Sequence, residues 1–270
     1  MERELPTIKI EGTEFQLDVE KLMLVQKDNP INTISFLEME DIGNGYSFEY
    51  DRRNLNIPDL GYRQSDVTTI NLYQLVEMDP QGMAEKYGLS LESMQGKNDF
   101  DLMVDQEALK QRQEGWLTTI EIEGHTFYVD IPMDRLRPKD DFLSKGIVFS
   151  EIDHYYEEEK QLYSIPYNPS RHEFQEVDFE NLIKLPEELI LIEFPYERIL
   201  DPIGFNRKHG VDPLWGLKET GIRSHFDARK VDWKETGLEE MIEENRKRLG
   251  VHKSDDPPQK ASRQRKGRGI

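Results

Sequence analysis

The chain of 270 residues contains no cysteine, and this absence removes several kinds of site. A disulfide framework, a thiolate metal site and a cysteine nucleophile are all excluded. Long apolar runs are missing too, because no stretch approaches the roughly 18 residues that a membrane-spanning helix needs. The first residues, Met1-Glu-Arg-Glu-Leu-Pro6, lack the basic and apolar regions of a signal peptide. We therefore expect a cytoplasmic protein that does not contact a membrane.

Sequence motifs of the common enzyme classes are also missing. The chain has no Walker A loop, no Gly-x-Gly-x-x-Gly, no His-Glu-x-x-His and no Gly-x-Ser-x-Gly. These absences predict no cofactor and favour a protein that is not an enzyme. Hydrophobic residues make up 36% and charged residues 33%, which is polar for a globular protein, but 10% aromatic residues argue against wholesale disorder.

The net charge of −19 is unevenly distributed along the chain. Residues 246–270 contain nine Lys and Arg against two Asp, a charge of +7, which leaves −26 for the rest. An acidic body of this kind repels nucleic-acid phosphates and attracts basic proteins. Residues 251–270 form a low-complexity basic tail that we expect to be disordered, and only this tail suits nucleic acid.

The most informative feature is a repeated stretch. Thr7-Ile-Lys-Ile-Glu-Gly-Thr-Glu-Phe-Gln-Leu-Asp18 recurs, 112 residues later, as Thr119-Ile-Glu-Ile-Glu-Gly-His-Thr-Phe-Tyr-Val-Asp130, with seven of twelve positions identical. Alternating apolar residues around a Glu-Gly pair predict a β-hairpin whose glycine has a positive φ. In the second copy His125 replaces Thr13 next to Ile122, and we interpret it as a half-buried structural histidine.

A second motif repeats as well. Asp79-Pro-x-Gly-x-x-x-Lys-x-Gly88 matches Asp201-Pro-x-Gly-x-x-x-Lys-x-Gly210, and each predicts a short helix capped by Asp, begun by Pro and ended by Gly. His225-Phe-Asp227 follows the pattern of Asp99-Phe-Asp101. We therefore predict an α+β protein in which a β-rich unit of antiparallel strands, followed by short helices, is duplicated in tandem. The predicted domains are residues 1–114, residues 115–250 with a C-terminal helix, and the tail 251–270.

These two motifs resemble those of a loosely defined group of uncharacterised Bacteroidetes proteins. The resemblance covers both repeats but not the tail. The group has no assigned activity and is associated with mobile elements, so the resemblance supports the duplication and transfers no catalytic residue.

Two sets of residues are candidates for a site. Four aromatic residues in acidic surroundings could form an interaction surface or belong to the core of a β-rich domain: Tyr155, Tyr156, Trp215 and Trp233. Four others could supply a metal site or acid–base chemistry, although composition alone explains such neighbours in a chain with 54 acidic residues: Glu151, Asp153, His154 and His225.

Three classes of function remain. The first, which we favour, is a non-catalytic interaction module with an acidic surface for a basic protein partner. The second is an acidic mimic of nucleic acid, which needs carboxylates regularly spaced on one face. The third is an enzyme with carboxylates and a histidine at the junction of the repeats.

Overall fold

The computed structural model describes residues 3–58 and 66–251. It divides into two compact units. Unit 1 comprises the chain up to Trp116 together with His209–Arg223, and unit 2 comprises Leu117–Lys208 and the chain from Ser224 onward. Each unit combines antiparallel strands and short helices around its own buried apolar cluster. The predicted α+β class is confirmed. The predicted tail lies outside the described residues beyond Val251.

The first 116 residues provide most of unit 1. Within the described part their strands are β1 (Thr7–Ile10), β2 (Thr13–Asp18), β3 (Met23–Gln26), β4 (Thr33–Ser35), β5 (Glu40–Asp41), β6 (Tyr46–Asp51) and β7 (Val67–Leu72). Their helices are α1 (Leu75–Met78), α2 (Pro80–Tyr87), α3 (Asp99–Met103) and α4 (Gln106–Gln113). Two antiparallel sheets result, in the orders β1-β2-β3-β4 and β5-β6-β7.

The strand order of unit 1 recurs in unit 2 with additions. The strands that follow along the chain are β8 (Thr119–Ile122), β9 (His125–Asp130), β10 (Arg135–Pro138), β11 (Ile147–Val148), β12 (Tyr156–Glu157), β13 (Leu162–Asn168), β14 (Glu173–Phe174), β15 (Ile190–Pro195), β16 (His225–Asp227) and β17 (Arg229–Val231). They form the sheets β11-β10-β9-β8-β16 and β12-β13-β15-β17, with β14 also paired to β13. The helices are α5 (Phe149–Ile152), α6 (Glu197–Leu200), α7 (Pro202–Lys208), α8 (Leu217–Thr220) and α9 (Leu238–Leu249).

One segment groups differently from the predicted domains. The sequence-based division kept residues 115–250 together, whereas His209–Arg223, which contains α8, packs with unit 1. The segment carries apolar side chains such as Leu217, which is buried, and α8 lies against α3. Periodicity within a segment indicates which side chains are apolar but not which sheet they will cover, so it does not predict that residues 209–223 return to unit 1.

The repeated stretch forms matching hairpins. In β1 and β2, Ile8 faces Phe15 and Ile10 faces Thr13, and the β8–β9 pairing is the same with Ile120 opposite Phe127. Both central turn residues have positive φ, with 48° at the Glu and 93° or 82° at the Gly. This combination is the one a type I′ turn needs, and its twist matches that of the strands. The prediction of hairpins in which Gly12 and Gly124 have a positive φ is therefore confirmed.

The Asp-Pro-x-Gly motif forms α2 and α7. The Asp79 side chain accepts from the backbone N–H of Gly82, Pro80 begins the helix, and Gly88 ends it in a left-handed conformation. In α7, Asp201 likewise accepts from the N–H of Gly204. Asp caps the free N–H groups of the first turn, and Pro loses no hydrogen bond there, so the sequence specifies these ends locally.

Two sequence-based interpretations are wrong. Asp99-Phe-Asp101 begins a helix, whereas His225-Phe-Asp227 forms a strand that pairs with β8 in parallel. The shared Phe-Asp letters are too few to determine a structure that depends on long-range pairing. His125 is exposed at the start of β9 rather than half-buried, because its place at the turn puts it at the rim of the sheet.

Gly12 offers a test of the first hairpin. A Cβ at this position would meet no atom within 4 Å, so substitution strains only the backbone at its φ of 93°. We expect Gly12→Val to lower the free energy of unfolding by roughly 1–2 kcal/mol, as for an L-residue in a left-handed conformation. Gly12→Asn should cost clearly less, because Asn tolerates positive φ. Urea unfolding compares the variants, and a Val variant with the parental midpoint would contradict the turn assignment.

Candidate binding site

A cleft in unit 1, with a volume of about 880 Å³, is large enough to hold part of a partner. One side is formed by residues 36–46, which include β5 and the 3-10 turn Phe36–Glu38, and the other by residues 212–219 around α8. Side chains of α3 and the buried Leu75 of α1 complete it. We call this feature the unit 1 cleft.

Tyr46 is the central residue of the cleft floor. Its ring is buried and packs edge-to-face against Phe36, with centroids 5.0 Å apart. Its hydroxyl donates to the carboxylate of Asp99 at 2.8 Å. Burial, together with the negative charge of Asp99, raises the pKa of Tyr46 far above its ordinary value. The ring is therefore a fixed, neutral platform.

Asp99 fixes the position of both the Tyr46 ring and the first turn of α1. Its carboxylate is completely buried and accepts from the backbone N–H groups of Leu75 and Val76, at 2.7 and 2.8 Å. It thus satisfies the free donors at the start of α1, where Gln74 provides no side-chain cap. Three hydrogen bonds to one buried carboxylate link the cleft floor, α1 and α3.

The walls of the cleft expose large apolar side chains. Trp215 is 57% exposed and Leu37 is 53% exposed, and Leu214 beside Trp215 is also open to solvent. Isolated exposed apolar residues are common, but a group of them around an apolar floor is the usual composition of a binding site.

One ion pair lies inside the cleft. The ammonium of Lys218 is 2.7 Å from the carboxylate of Asp41 and 4.5 Å above the centroid of the Tyr46 ring. The Lys218 side chain is only 11% exposed, so the pair is partly desolvated. The cation–π contact and the ion pair together fix α8 against the sheet.

Carboxylates surround the rest of the cleft. Glu38, Glu40 and Asp212 have no Lys or Arg within salt-bridge distance among the described residues. Among the described residues that line the cleft, Lys218 is the one cation, and Asp41 already neutralises it. Within residues 3–58 and 66–251, the rim therefore carries a negative charge that no ion pair balances at Glu38, Glu40 or Asp212.

The four predicted aromatic residues have different roles. Trp215 lines the unit 1 cleft, whereas the other three belong to unit 2. Tyr155 packs against Phe174 and Tyr156 against Tyr196, and both cover the unit 2 core. Trp233 is half-buried and donates its Nε1–H to the carbonyl of Leu189 at 3.3 Å. Within unit 2 these three act mainly as packing residues, which is the alternative that the sequence left open.

The predicted acid–base residues do not form a cluster. Glu151 pairs with Lys145 at 2.8 Å, and Asp153 is exposed. The ring of His154 lies on Tyr155, with centroids 4.3 Å apart. His225 lies in β16, where its Nδ1 is 2.9 Å from Thr119 Oγ1 and its Nε2 is 3.6 Å from Asp227. Over residues 3–58 and 66–251, no group of three or more His, Asp or Glu side chains is arranged to hold a metal ion.

Sequence reasoning missed most of the cleft. It identified Trp215 as an exposed aromatic but not the partners Tyr46, Lys218 and Asp41, which come from distant parts of the chain. The only available signal was the cluster of carboxylates in Glu38-Met-Glu-Asp41 before the Gly-rich turn.

No family model, curated protein or solved structure matches the chain. In the part of the chain that is described, no helix is both long and apolar enough to cross a bilayer.

Proposed function

We propose that the protein is a non-catalytic binding module of the cytoplasm whose unit 1 cleft takes up a basic segment of a partner protein. The segment carries a bulky apolar residue flanked by Lys or Arg. The observation that carries this proposal is the combination of an apolar cleft with an acidic rim. Nucleic acid would be contacted only through the tail of residues 251–270.

The apolar part supplies the affinity. Trp is among the residues that most often dominate binding energy at interfaces, and Trp215 and Leu37 are exposed on the two sides of the cleft. Covering such a side chain is worth about 1.5–3 kcal/mol. Tyr46 beneath them is already held in place by Asp99, so binding needs little reorganisation of the floor.

The charged part supplies the specificity. Glu38, Glu40 and Asp212 attract Lys and Arg and repel acidic segments, and their effect weakens as salt screens them. An acidic ligand would place its carboxylates against theirs, which is costly.

The test uses a random peptide library displayed on phage and selected against the full chain. Enriched peptides should contain Leu, Phe or Trp next to Lys or Arg. We expect Trp215→Ala to weaken binding of a selected peptide about 10-fold or more. Glu38→Lys combined with Glu40→Lys should weaken it similarly and reduce its salt dependence. Fluorescence anisotropy with labelled peptide measures both.

Matched controls distinguish binding in the cleft from nonspecific hydrophobic binding and from an effect of net charge. Trp116 is 69% exposed in unit 1 but does not line the cleft, so Trp116→Ala should change affinity less than about twofold. Glu77→Lys with Glu114→Lys alters the net charge equally on exposed residues outside the cleft and should have little effect. Peptides that bind the Trp215 variant as tightly as the parent, or that are mainly acidic, would overturn the proposal.

A further inference from the structure

Two histidines that are 47 positions apart in sequence meet on unit 2. The imidazole rings of His125, in β9, and His172, in the loop between β13 and β14, have centroids 4.0 Å apart and planes inclined by 46°. His125 is exposed and the side chain of His172 is 17% exposed, so solvent reaches the pair. Neither ring takes part in the proposed peptide binding.

A carboxylate fixes the orientation of His172. Its Nδ1 is 2.9 Å from Asp141 Oδ2. An ionised carboxylate can only accept, so Nδ1 carries the hydrogen, and in the neutral imidazole Nε2 then keeps the lone pair. This hydrogen bond is also the main reason that the pKa of Asp141 lies below its ordinary value. A histidine held in this way by a carboxylate is the arrangement typical of metal-binding imidazoles.

The loop that carries Asp141 is itself well held. Asp141 Oδ1 accepts from the N–H groups of Leu143 and Ser144, and Ser144 Oγ donates to the carbonyl of His172. Asp141 and His172 are thereby linked through the backbone of this loop as well as by the hydrogen bond between their side chains. Asp141 and His172 are therefore preorganised before any ligand arrives.

The corresponding positions in unit 1 cannot bind a metal. His125 corresponds to Thr13 in the repeated hairpin, and Asp141 corresponds to Asn29 at the same 112-residue spacing. His172 corresponds to Leu55, since both have positive φ and both carbonyls accept from the equivalent residues Ser144 and Asn32. The two histidines and the aspartate therefore occur together in unit 2, and the equivalent positions of unit 1 carry neither histidine nor aspartate.

We propose that His125 and His172 chelate a late first-row divalent metal ion, with Asp141 as the outer partner that orients His172. Imidazole nitrogens suit Cu²⁺, Ni²⁺ and Zn²⁺, and Cu²⁺ binds such ligands most tightly. Two nitrogens at about 2.0–2.1 Å from one ion lie roughly 3 Å apart. With the ring centroids 4.0 Å apart and His172 held by Asp141, the exposed ring of His125 is the one that rotates to reach this spacing. Water or a ligand from solution completes the coordination, because no third protein ligand is arranged there within the described residues.

The experiment titrates the full, untagged chain with Cu²⁺ and, separately, with Zn²⁺ in competition with a chromophoric chelator. One equivalent of Cu²⁺ should bind more tightly than Zn²⁺, with two nitrogen ligands seen by electron paramagnetic resonance. His125→Ala and His172→Ala should each weaken Cu²⁺ binding about 10-fold or more, and Asp141→Asn should weaken it about 10–100-fold.

Controls address the other histidines and the fold. His154→Ala and His225→Ala remove solvent-exposed imidazoles of unit 2 outside the pair and should leave the affinity unchanged. Circular dichroism of each variant checks that the fold is retained. Unchanged Cu²⁺ affinity in both His125→Ala and His172→Ala would overturn the proposal, as would binding that only His154→Ala or His225→Ala removes. An Asp141→Asn variant that folds normally and binds like the parent would overturn the role of Asp141.

Discussion

Replacing Asp99 by alanine should lower the free energy of unfolding of unit 1 by roughly 4 kcal/mol, because three donors lose their acceptor and each unsatisfied donor costs about 1–3 kcal/mol. The donors are the hydroxyl of Tyr46 and the backbone N–H groups of Leu75 and Val76. Asp99, Tyr46 and Leu75 are buried and Val76 is partly buried, so water has little access to these donors. The same change should abolish peptide binding, because it releases the floor of the unit 1 cleft.

The measurement is hydrogen exchange of the amides of α1 and β6, together with urea unfolding. Tyr46→Phe removes one of the three hydrogen bonds and should cost only about 1 kcal/mol. Asp101→Ala is the matched control, since Asp101 is in the same helix but is only partly buried and completes the cap with Asn98. It should cost about 1 kcal/mol. Equal losses for the Asp99 and Asp101 variants would contradict the role assigned to Asp99.

Gly82→Ala should lower the free energy of unfolding of unit 1 by about 3 kcal/mol or more. An added Cβ would lie 2.2 Å from Asp79 Oδ2, 2.5 Å from an Arg3 nitrogen and 2.6 Å from Val19 Cγ2. Arg3 and Asp79 form a two-pronged ion pair with both distances at 2.7 Å, and Asp79 is only 2% exposed. The methyl group would therefore separate a buried charge from its partner, which explains why glycine stands three residues after Asp79.

Gly88→Ala is the control for this prediction, because Gly88 ends the same helix. Its φ of 61° is left-handed, but an added Cβ would meet nothing within 4 Å. The expected cost is about 1 kcal/mol, from backbone strain alone. Comparing the melting temperatures of the Gly82→Ala and Gly88→Ala variants separates the cost of backbone strain from the cost of displacing Arg3 and Asp79. A Gly82 variant as stable as the Gly88 variant would show that Arg3 and Asp79 can move apart freely.

Local signals explain which features the sequence predicted. The hairpin turns, the caps of α2 and the end of α9 at Gly250 depend on residues within a few positions of each other. Turn and cap chemistry is specified by these neighbours, so the printed sequence is enough to identify them. The same holds for the burial of Phe15 and Phe127, which follows from strand alternation.

Contacts between distant residues explain what the sequence did not predict. The Lys218–Asp41 pair spans 177 positions, and the two histidine rings meet only because the loops of two sheets converge. The apolar neighbour Ile122 predicts a packing role for His125, and no sequence pattern links it to His172, 47 positions away. Neither periodicity nor spacing contains this information, since it arises from the packing of whole elements.

The return of residues 209–223 to unit 1 has a consequence for synthesis on the ribosome. The part of unit 1 that ends at Trp116 leaves the ribosome before the wall of the cleft that carries Trp215 and Lys218 exists. At typical translation rates of about 5–20 residues per second, the missing 107 residues take roughly 5–20 s. During this interval the ring of Tyr46 lacks the cover of Lys218, so the nascent chain presents an apolar surface that chaperones can recognise.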